Sequence, residues 1–525
     1  MAYYPMRCPH CMSRLTPDQI LFGSKGAVES YQDGARSAKE RFEGSNSDQL
    51  FDGFDTGDFD IAAGGNQEDA ELPEKFTLQE LEQYDSKSRK KYAAVTLTSE
   101  YEGRKDTGSA SKNDLTVEVT YVRKKDQARL QTSDRYCPNC GKRLPDDLGK
   151  MPFYTIAVMG DTSSGKTVYL SILSHLMLKN RFTLPDNRFP YLTFHSMQCI
   201  PLIDCGNNEI VEFGEKICRT GELPATTTNS YTEPLILKLR YEAELGDVKG
   251  YKECILSLKD MRGEDLRNPN FMRGAYFRHV DGFLMVTDPT QVGDFSSMMD
   301  IPQQENSEWK LIAYLNNLLF SRMEHGHVTK PSVVVLGKSD LIWRYRMALQ
   351  INESNAVIGN PYRSVYRDYF ETMDKATREI MWQHADNFFQ TLNSGFQSPV
   401  FTSASALGLV DIEEQKREGA ESDAVRKRIK DPRKIAPVRM EEALMYLLMK
   451  IGFFPPYCEY YSYDKSGRME QGILDWMNER FIWEEEAPVQ THQTHWTEPG
   501  NKPKEPPKEK GGFMGLFSLR RKRSE

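Results

Sequence analysis

The segment that most constrains this chain is Gly160-Asp161-Thr-Ser163-Ser164-Gly165-Lys166-Thr167, set between the apolar run Tyr154-Thr-Ile-Ala-Val-Met159 and a helical pattern that begins near Lys166. Together these read as strand, glycine-bounded turn and helix, the context in which G-x-x-x-x-G-K-[ST] has chemical meaning. The glycines let the backbone wrap an anion, while the loop amides and the helix N-terminus supply positive dipole. Lys166 is placed to reach β- and γ-phosphate oxygens, and the Thr167 hydroxyl to hold Mg²⁺. The bland alternative is a structural glycine turn.

Three further elements follow in order. Lys259-Asp260-Met-Arg262-Gly263-Glu264 ends an apolar strand, so Asp260 is expected to hold Mg²⁺ through water and the Gly263 amide to meet a γ-phosphate. Alone, this could be an Asp-capped turn. Val333-Val-Val-Leu-Gly337-Lys338-Ser339-Asp340 resembles the N/T-K-x-D element of GTPases, with Gly337 where Asn or Thr is usual. Asp340 could accept two hydrogen bonds from guanine, which adenine cannot supply, while the Lys338 stem packs along the base. Its alternative is a solvated turn. Phe401-Thr-Ser403-Ala404-Ser-Ala406 resembles the S-A-K/L element, whose backbone amide contacts the guanine carbonyl; Ser403 and Ala404 are the residues assigned to it.

Further strand-like runs begin at Leu235, Glu253, Gly282, Ser332 and Pro399, and helical patterns lie at about 306–325 and 364–394. This alternation predicts an α/β domain of three layers with a mainly parallel sheet over 152–455. Residues 411–434 read as a charged insertion, and Met440-Glu-Glu-Ala-Leu-Met-Tyr-Leu-Leu-Met-Lys as an apolar helix that closes the domain. A C-terminal extension, 456–485, follows it.

Cys8-Pro-His-Cys11 and Cys137-Pro-Asn-Cys140 each place two thiols on a tight turn. Four thiolates make a closed tetrahedral site, so Cys8, Cys11, Cys137 and Cys140 are expected to share a structural Zn²⁺. A redox pair and two separate metal sites are the alternatives. His10 is expected to be exposed, not a ligand. The two pairs define the halves of a zinc ribbon, 1–20 and 136–150, with an insert at 21–135. Within that insert, 44–72 is acidic, and Ser45 to Leu72 carries eight acids and no base, so disorder is expected. Residues 90–125 alternate apolar and β-branched residues like a hairpin.

With those residues in view, the chain resembles the Ras-like, translation-factor-related class of P-loop GTPases. The zinc ribbon, the long gap before Asp-x-x-Gly-Glu and the Pro-x-Arg-x-Glu-Glu-Ala-Leu segment at 437–444 look like the double-GTPase families of bacterial conflict systems. The resemblance implies a GTP/GDP-controlled switch working with a second GTPase in defence or stress. A switch threonine is sought among Thr226, Thr227 and Thr228. Glu264 stands where such proteins commonly carry Gln and would repel a γ-phosphate unless neutralised, which implies slow hydrolysis. Arg262, Arg219 or a partner's arginine could supply the positive charge. Two other readings stay open: a catalytically inactive scaffold that presents the ribbon to partners, and a P-loop ATPase.

Composition narrows the partners. With 68 Lys+Arg against 76 Asp+Glu, no global basic field marks a nucleic-acid binder. No apolar run is long enough to span a membrane and the start lacks a signal peptide's apolar stretch, so a cytoplasmic location is expected. The tail 486–525 reads as disordered. From Pro499 it carries eight Lys/Arg and three acids and could make weak contact with a membrane or a partner.

Overall fold

The computed structural model describes residues 4–24, 28–29, 74–80, 92–101, 104–107, 115–123, 128–161, 164–179, 192–194, 197–206, 208–224, 233–245, 248–261, 279–299, 308, 312–313, 315–316, 327–342, 367–416, 425–454 and 481–483. The acidic stretch 44–72, the tail 486–525 and nearly all of 456–485 lie outside them.

The apolar runs form a nine-stranded mixed sheet, because strands rich in Val, Ile and Leu can be buried on both faces. In chain order its strands are β1 (Phe153–Met159), β2 (Leu192–Phe194), β3 (Gln198–Pro201), β4 (Leu235–Leu245), β5 (Val248–Asp260), β6 (Gly282–Thr287), β7 (Ser332–Leu336) and β8 (Val400–Ser403). A last short strand, Ile482–Trp483, pairs with the start of β5. Across the sheet the order is β2-β4-β5-β1-β6-β7-β8, with β3 also paired to β4. The five strands from β5 to β8 run parallel. The hairpin β4–β5 makes the other edge antiparallel.

Side chains alternate between two cores with the period of a strand. Ile156 and Val158 of β1 face one layer, with helices α1 (Lys166–Leu178) and α2 (Asn208–Thr220). Ala157 and Met159 face the other, with α3 (Arg367–His384) and α4 (Asp386–Gly395). The helix α5 (Glu442–Lys450) lies in the first layer and is buried from Glu442 to Met449. The single helical pattern at 364–394 is thus two helices. They break at Ala385, where the backbone of Gly293 approaches so closely that a Cβ would sit 2.0 Å from the His384 carbonyl oxygen. The charged segment 411–434 contains a hairpin of Ile412–Lys416 and Val425–Ile429, anchored by buried Ile429.

Before the large sheet, Met6–Arg7 pairs with Arg14–Leu15 around the first cysteine turn. Around the second, Arg135–Tyr136 pairs with Arg143–Leu144, and Leu21–Gly23 and Lys75–Phe76, read from sequence as insert, extend that sheet to four strands. Where the sequence predicts a hairpin at 90–125, there is a five-stranded antiparallel sheet that also includes Val28–Glu29 and Ala128–Thr132. Val28–Glu29 is too short to carry a pattern, and Ala128–Thr132 alternates over only five residues. Fully buried Arg135 donates to the carbonyls of Pro145 (2.7 Å), Asp146 (2.5 Å) and Leu148 (3.2 Å), which ties the second turn to the chain entering β1.

This cysteine-bearing module packs on the large sheet. Its apolar cluster continues into Ile236 of β4 and Ile255 of β5. Met12 reaches further, into the cluster formed by Ala157, Met159 and Met261. Ion pairs from Lys238 to Asp147 (2.8 Å) and from Lys142 to Glu233 (2.5 Å) border the contact. Among the described residues no helix is long and apolar enough to cross a membrane.

Candidate functional site

Because β5, β1, β7 and β8 are parallel, their carboxyl ends lie along one edge of the sheet, and four of the sequence elements meet there. From β1 the chain turns at Gly160 (φ +152°), where a Cβ would lie 2.2 Å from the Val286 carbonyl oxygen, so only glycine fits. The turn returns through Gly165, which is left-handed (φ 87°) and caps α1 without a side-chain hydrogen bond. Ser164 Oγ is buried there and has no hydrogen-bond partner among the described residues.

Lys166 is buried, and its Nζ donates to the carbonyls of Gly160 (2.8 Å) and Asp161 (2.7 Å). That uses two of its three donors. Burial lowers the Lys166 ammonium from its ordinary range, against the pull of the Asp260 and Asp161 charges. Thr167 Oγ1 donates to Asp260 Oδ2 at 2.7 Å, joining the first turn of α1 to the end of β5. Burial raises the Asp260 carboxyl, opposed by Lys166 and Thr167. A buried cation and a buried carboxylate thus lie at the first turn of α1 and the end of β5. This is an arrangement that an anion with an accompanying divalent cation completes.

The loop after β7 lies beside the first. Lys338 is left-handed (φ 48°), and its Nζ contacts Asp288 Oδ2 at 2.5 Å. Asp288 is fully buried at the end of β6, and its other oxygen accepts from Thr290 N (2.8 Å) and Oγ1 (2.7 Å). The Lys338 stem passes over Gly165, with Cε 3.8 Å from where a Cβ would stand. At Gly337 a Cβ would lie 3.0 Å from the Thr287 carbonyl oxygen, and the Gly337 amide donates to that oxygen at 2.8 Å. A side chain at this position would therefore start in tight contact with the backbone of β6.

Asp340 Oδ1 accepts from Ser405 Oγ at 2.5 Å. The sequence assigns the base-carbonyl contact to Ser403 and Ala404; Ser-Ala occurs there twice in succession, and the serine that meets Asp340 is the second. Ser403 Oγ instead accepts from the buried guanidinium of Arg439, and the Ala404 amide donates to the Leu336 carbonyl at 3.0 Å. Asp288 and Ser405 are the residues that sequence reasoning missed. For Ser405 the tandem repeat was a signal; for Asp288 the sequence carries none. Ser163, Thr226, Thr227, Thr228, Arg262, Gly263 and Glu264 lie outside the described residues, while Arg219 is in the last turn of α2.

The four expected cysteines come together in the N-terminal module. Cys8 and Cys140 sulfurs are 3.6 Å apart, Cys11 and Cys137 sulfurs 3.7 Å, and all four lie within 4.8 Å of one another. A regular tetrahedron with Zn–S bonds of about 2.3 Å has sulfurs about 3.8 Å apart, so the set fits zinc. Each turn closes alike: Met12 N donates to Cys8 O (2.8 Å) and Gly141 N to Cys137 O (2.9 Å). Hydrogen bonds from Cys137 and Cys8 hold the Cys11 thiol well below its ordinary range. His10 is not among the four but, contrary to expectation, it is buried at 3% exposure, with burial lowering its imidazole. Its imidazole lies near Glu233, Lys142 and the backbone of Cys205.

No family model matches the chain, and no curated protein matches it. Among solved structures it is similar to sup35 complexed with GDP at 12% identity and a TM-score of 0.18. That alignment covers 49% of this chain and 38% of the other.

Proposed function

We propose that this chain is a guanine-nucleotide-binding switch of the P-loop GTPase type. The observation that carries the reading is the convergence of the Gly160–Thr167 turn, Asp260, Lys338–Asp340 and Ser405 at the carboxyl ends of parallel strands, where α/β sheets bind ligands. Loop amides and Lys166 would hold the phosphates, and Thr167 and Asp260 would hold Mg²⁺, Asp260 through water. Asp340, oriented by Ser405, would read guanine. Bound Mg²⁺ would neutralise phosphate charge. Zinc in the four-cysteine cluster would be structural, with no open position.

Hydrolysis in this reading is slow or partner-stimulated, with Glu264 and Arg262 as the residues concerned. Work with a second GTPase in a bacterial defence or stress system is supported by the family resemblance alone. The rival reading, an inactive scaffold or an ATPase, draws on Gly337 and on the engaged Ala404 amide, which is not offered to a base carbonyl.

Calorimetric titration with GTP, GDP and ATP in Mg²⁺ tests the proposal on wild type, Asp340→Asn and Lys166→Ala. Expected are guanine-selective binding, its loss in Asp340→Asn, and loss of all nucleotide binding in folded Lys166→Ala. Equal binding of ATP and GTP, indifferent to Asp340→Asn, would move the rival to the front.

A further inference from the structure

The segment Val438–Glu442, just before α5, touches both halves of the site from behind. On one side, Tyr169, in the first turn of α1 two residues after Thr167, donates its hydroxyl to the Met440 carbonyl at 2.6 Å. On the other, Val438 and Ser405 exchange backbone hydrogen bonds of 2.8 and 3.0 Å, Arg439 donates to Ser403 Oγ, and Thr402 Oγ1 donates to Glu442 Oε2 at 2.9 Å. The phosphate-side helix and the base-side loop are thereby joined through one short stretch of chain.

Its construction is costly, which argues for a specific role. Arg439 holds a left-handed backbone (φ 54°) unusual for a residue with a side chain, and its guanidinium is buried at 3% exposure, with Nη1 on Met373 Sδ at 3.1 Å. Glu441 and Glu442 are each buried at 2% exposure. Hydrogen bonds within such a network are strong and directional, so it sets the positions of the groups at its ends. Ser405, which orients Asp340, is one of those ends. A plain helix start would need none of this, since exposed Ser or Asp caps suffice.

We propose that Val438–Glu442 is a positioning clamp that sets the base-reading loop and the phosphate-side helix relative to each other, with Arg439 and Thr402 acting on purine choice and Tyr169 on phosphate affinity. This rests on the guanine-nucleotide reading. None of the three need touch the nucleotide.

The test is titration of the full chain with Mg²⁺–GDP and Mg²⁺–ADP on wild type, Tyr169→Phe, Thr402→Val and Arg439→Lys, with a thermal melt of each protein without nucleotide. Tyr169→Phe removes one hydroxyl and is expected to weaken GDP and ADP alike by about fivefold, leaving their ratio unchanged. Thr402→Val and Arg439→Lys are expected to lower the GDP:ADP preference by about tenfold, a ratio that general destabilisation does not move. If Arg439→Lys fails to fold, the other two decide. A guanine-selective wild type with folded variants unchanged in affinity and ratio overturns the clamp alone. A wild type with no preference for GDP sinks the guanine reading itself, and the clamp with it.

Discussion

At the scale of single residues, Asp288 shows how a site can depend on a side chain that no motif marks. Its buried carboxylate receives Lys338 Nζ at 2.5 Å and two donors from Thr290. A buried charge that loses its partner is expensive, so Asp288, whose side chain is fully buried, depends on the more exposed Lys338. Asp288→Asn keeps the volume but removes the charge opposite Lys338, and is expected to lower unfolding stability by about 1–3 kcal/mol in urea denaturation. An unchanged midpoint would show that Lys338 is not held in this way. Lys166, Thr167, Asp260 and Asp340 were legible because their spacing is local and their chemistry narrow. Asp288, in Thr-Asp-Pro-Thr, reads as an ordinary turn, and only the approach of Lys338 from another strand gives it work.

Among elements, the join between the cysteine-bearing module and the hairpin β4–β5 is open to titration. Burial disfavours the charged Asp147, but the hydrogen bond and charge of Lys238, with help from Lys150, outweigh it, and the carboxyl titrates below its ordinary range. Native Asp147 therefore holds its proton more weakly than the unfolded chain does. The stabilisation is present above the ordinary carboxylate value of about 3.9 and is lost as pH falls through the depressed one. Thermal melts across this acid range are expected to fall more gently with decreasing pH in Asp147→Asn than in wild type; parallel curves would remove the pair from the acid response. Six strands of the large sheet were legible because their apolar runs suit burial on both faces, whereas Leu192–Phe194, Gln198–Pro201 and Ile482–Trp483 are too short to stand out along the chain. The break at Ala385 was not legible, because no glycine or proline marks it; there the His384 carbonyl accepts from the Asp294 amide of another segment.

For the whole molecule, the question is whether the module and the sheet unfold together. Met12 belongs to the cysteine turn yet is buried at 1% exposure among residues of β1 and its neighbours, with Thr155 Oγ1 3.9 Å from its sulfur. Met12→Ala is expected to lower one shared unfolding transition by about 2–5 kcal/mol, read by calorimetry with zinc present. A separate module transition shifting alone would show two independent units. The sequence by itself determined the parts: the apolar strands, the glycine turn entering a helix and the two cysteine pairs, since each depends on residues a few positions apart. Tertiary structure alone decided which of two serines meets Asp340, which carboxylate holds Lys338, where Arg439 is buried and into which core Met12 goes. Each of these is a contact between distant segments, and sheet order and packing, not spacing along the chain, bring them within reach.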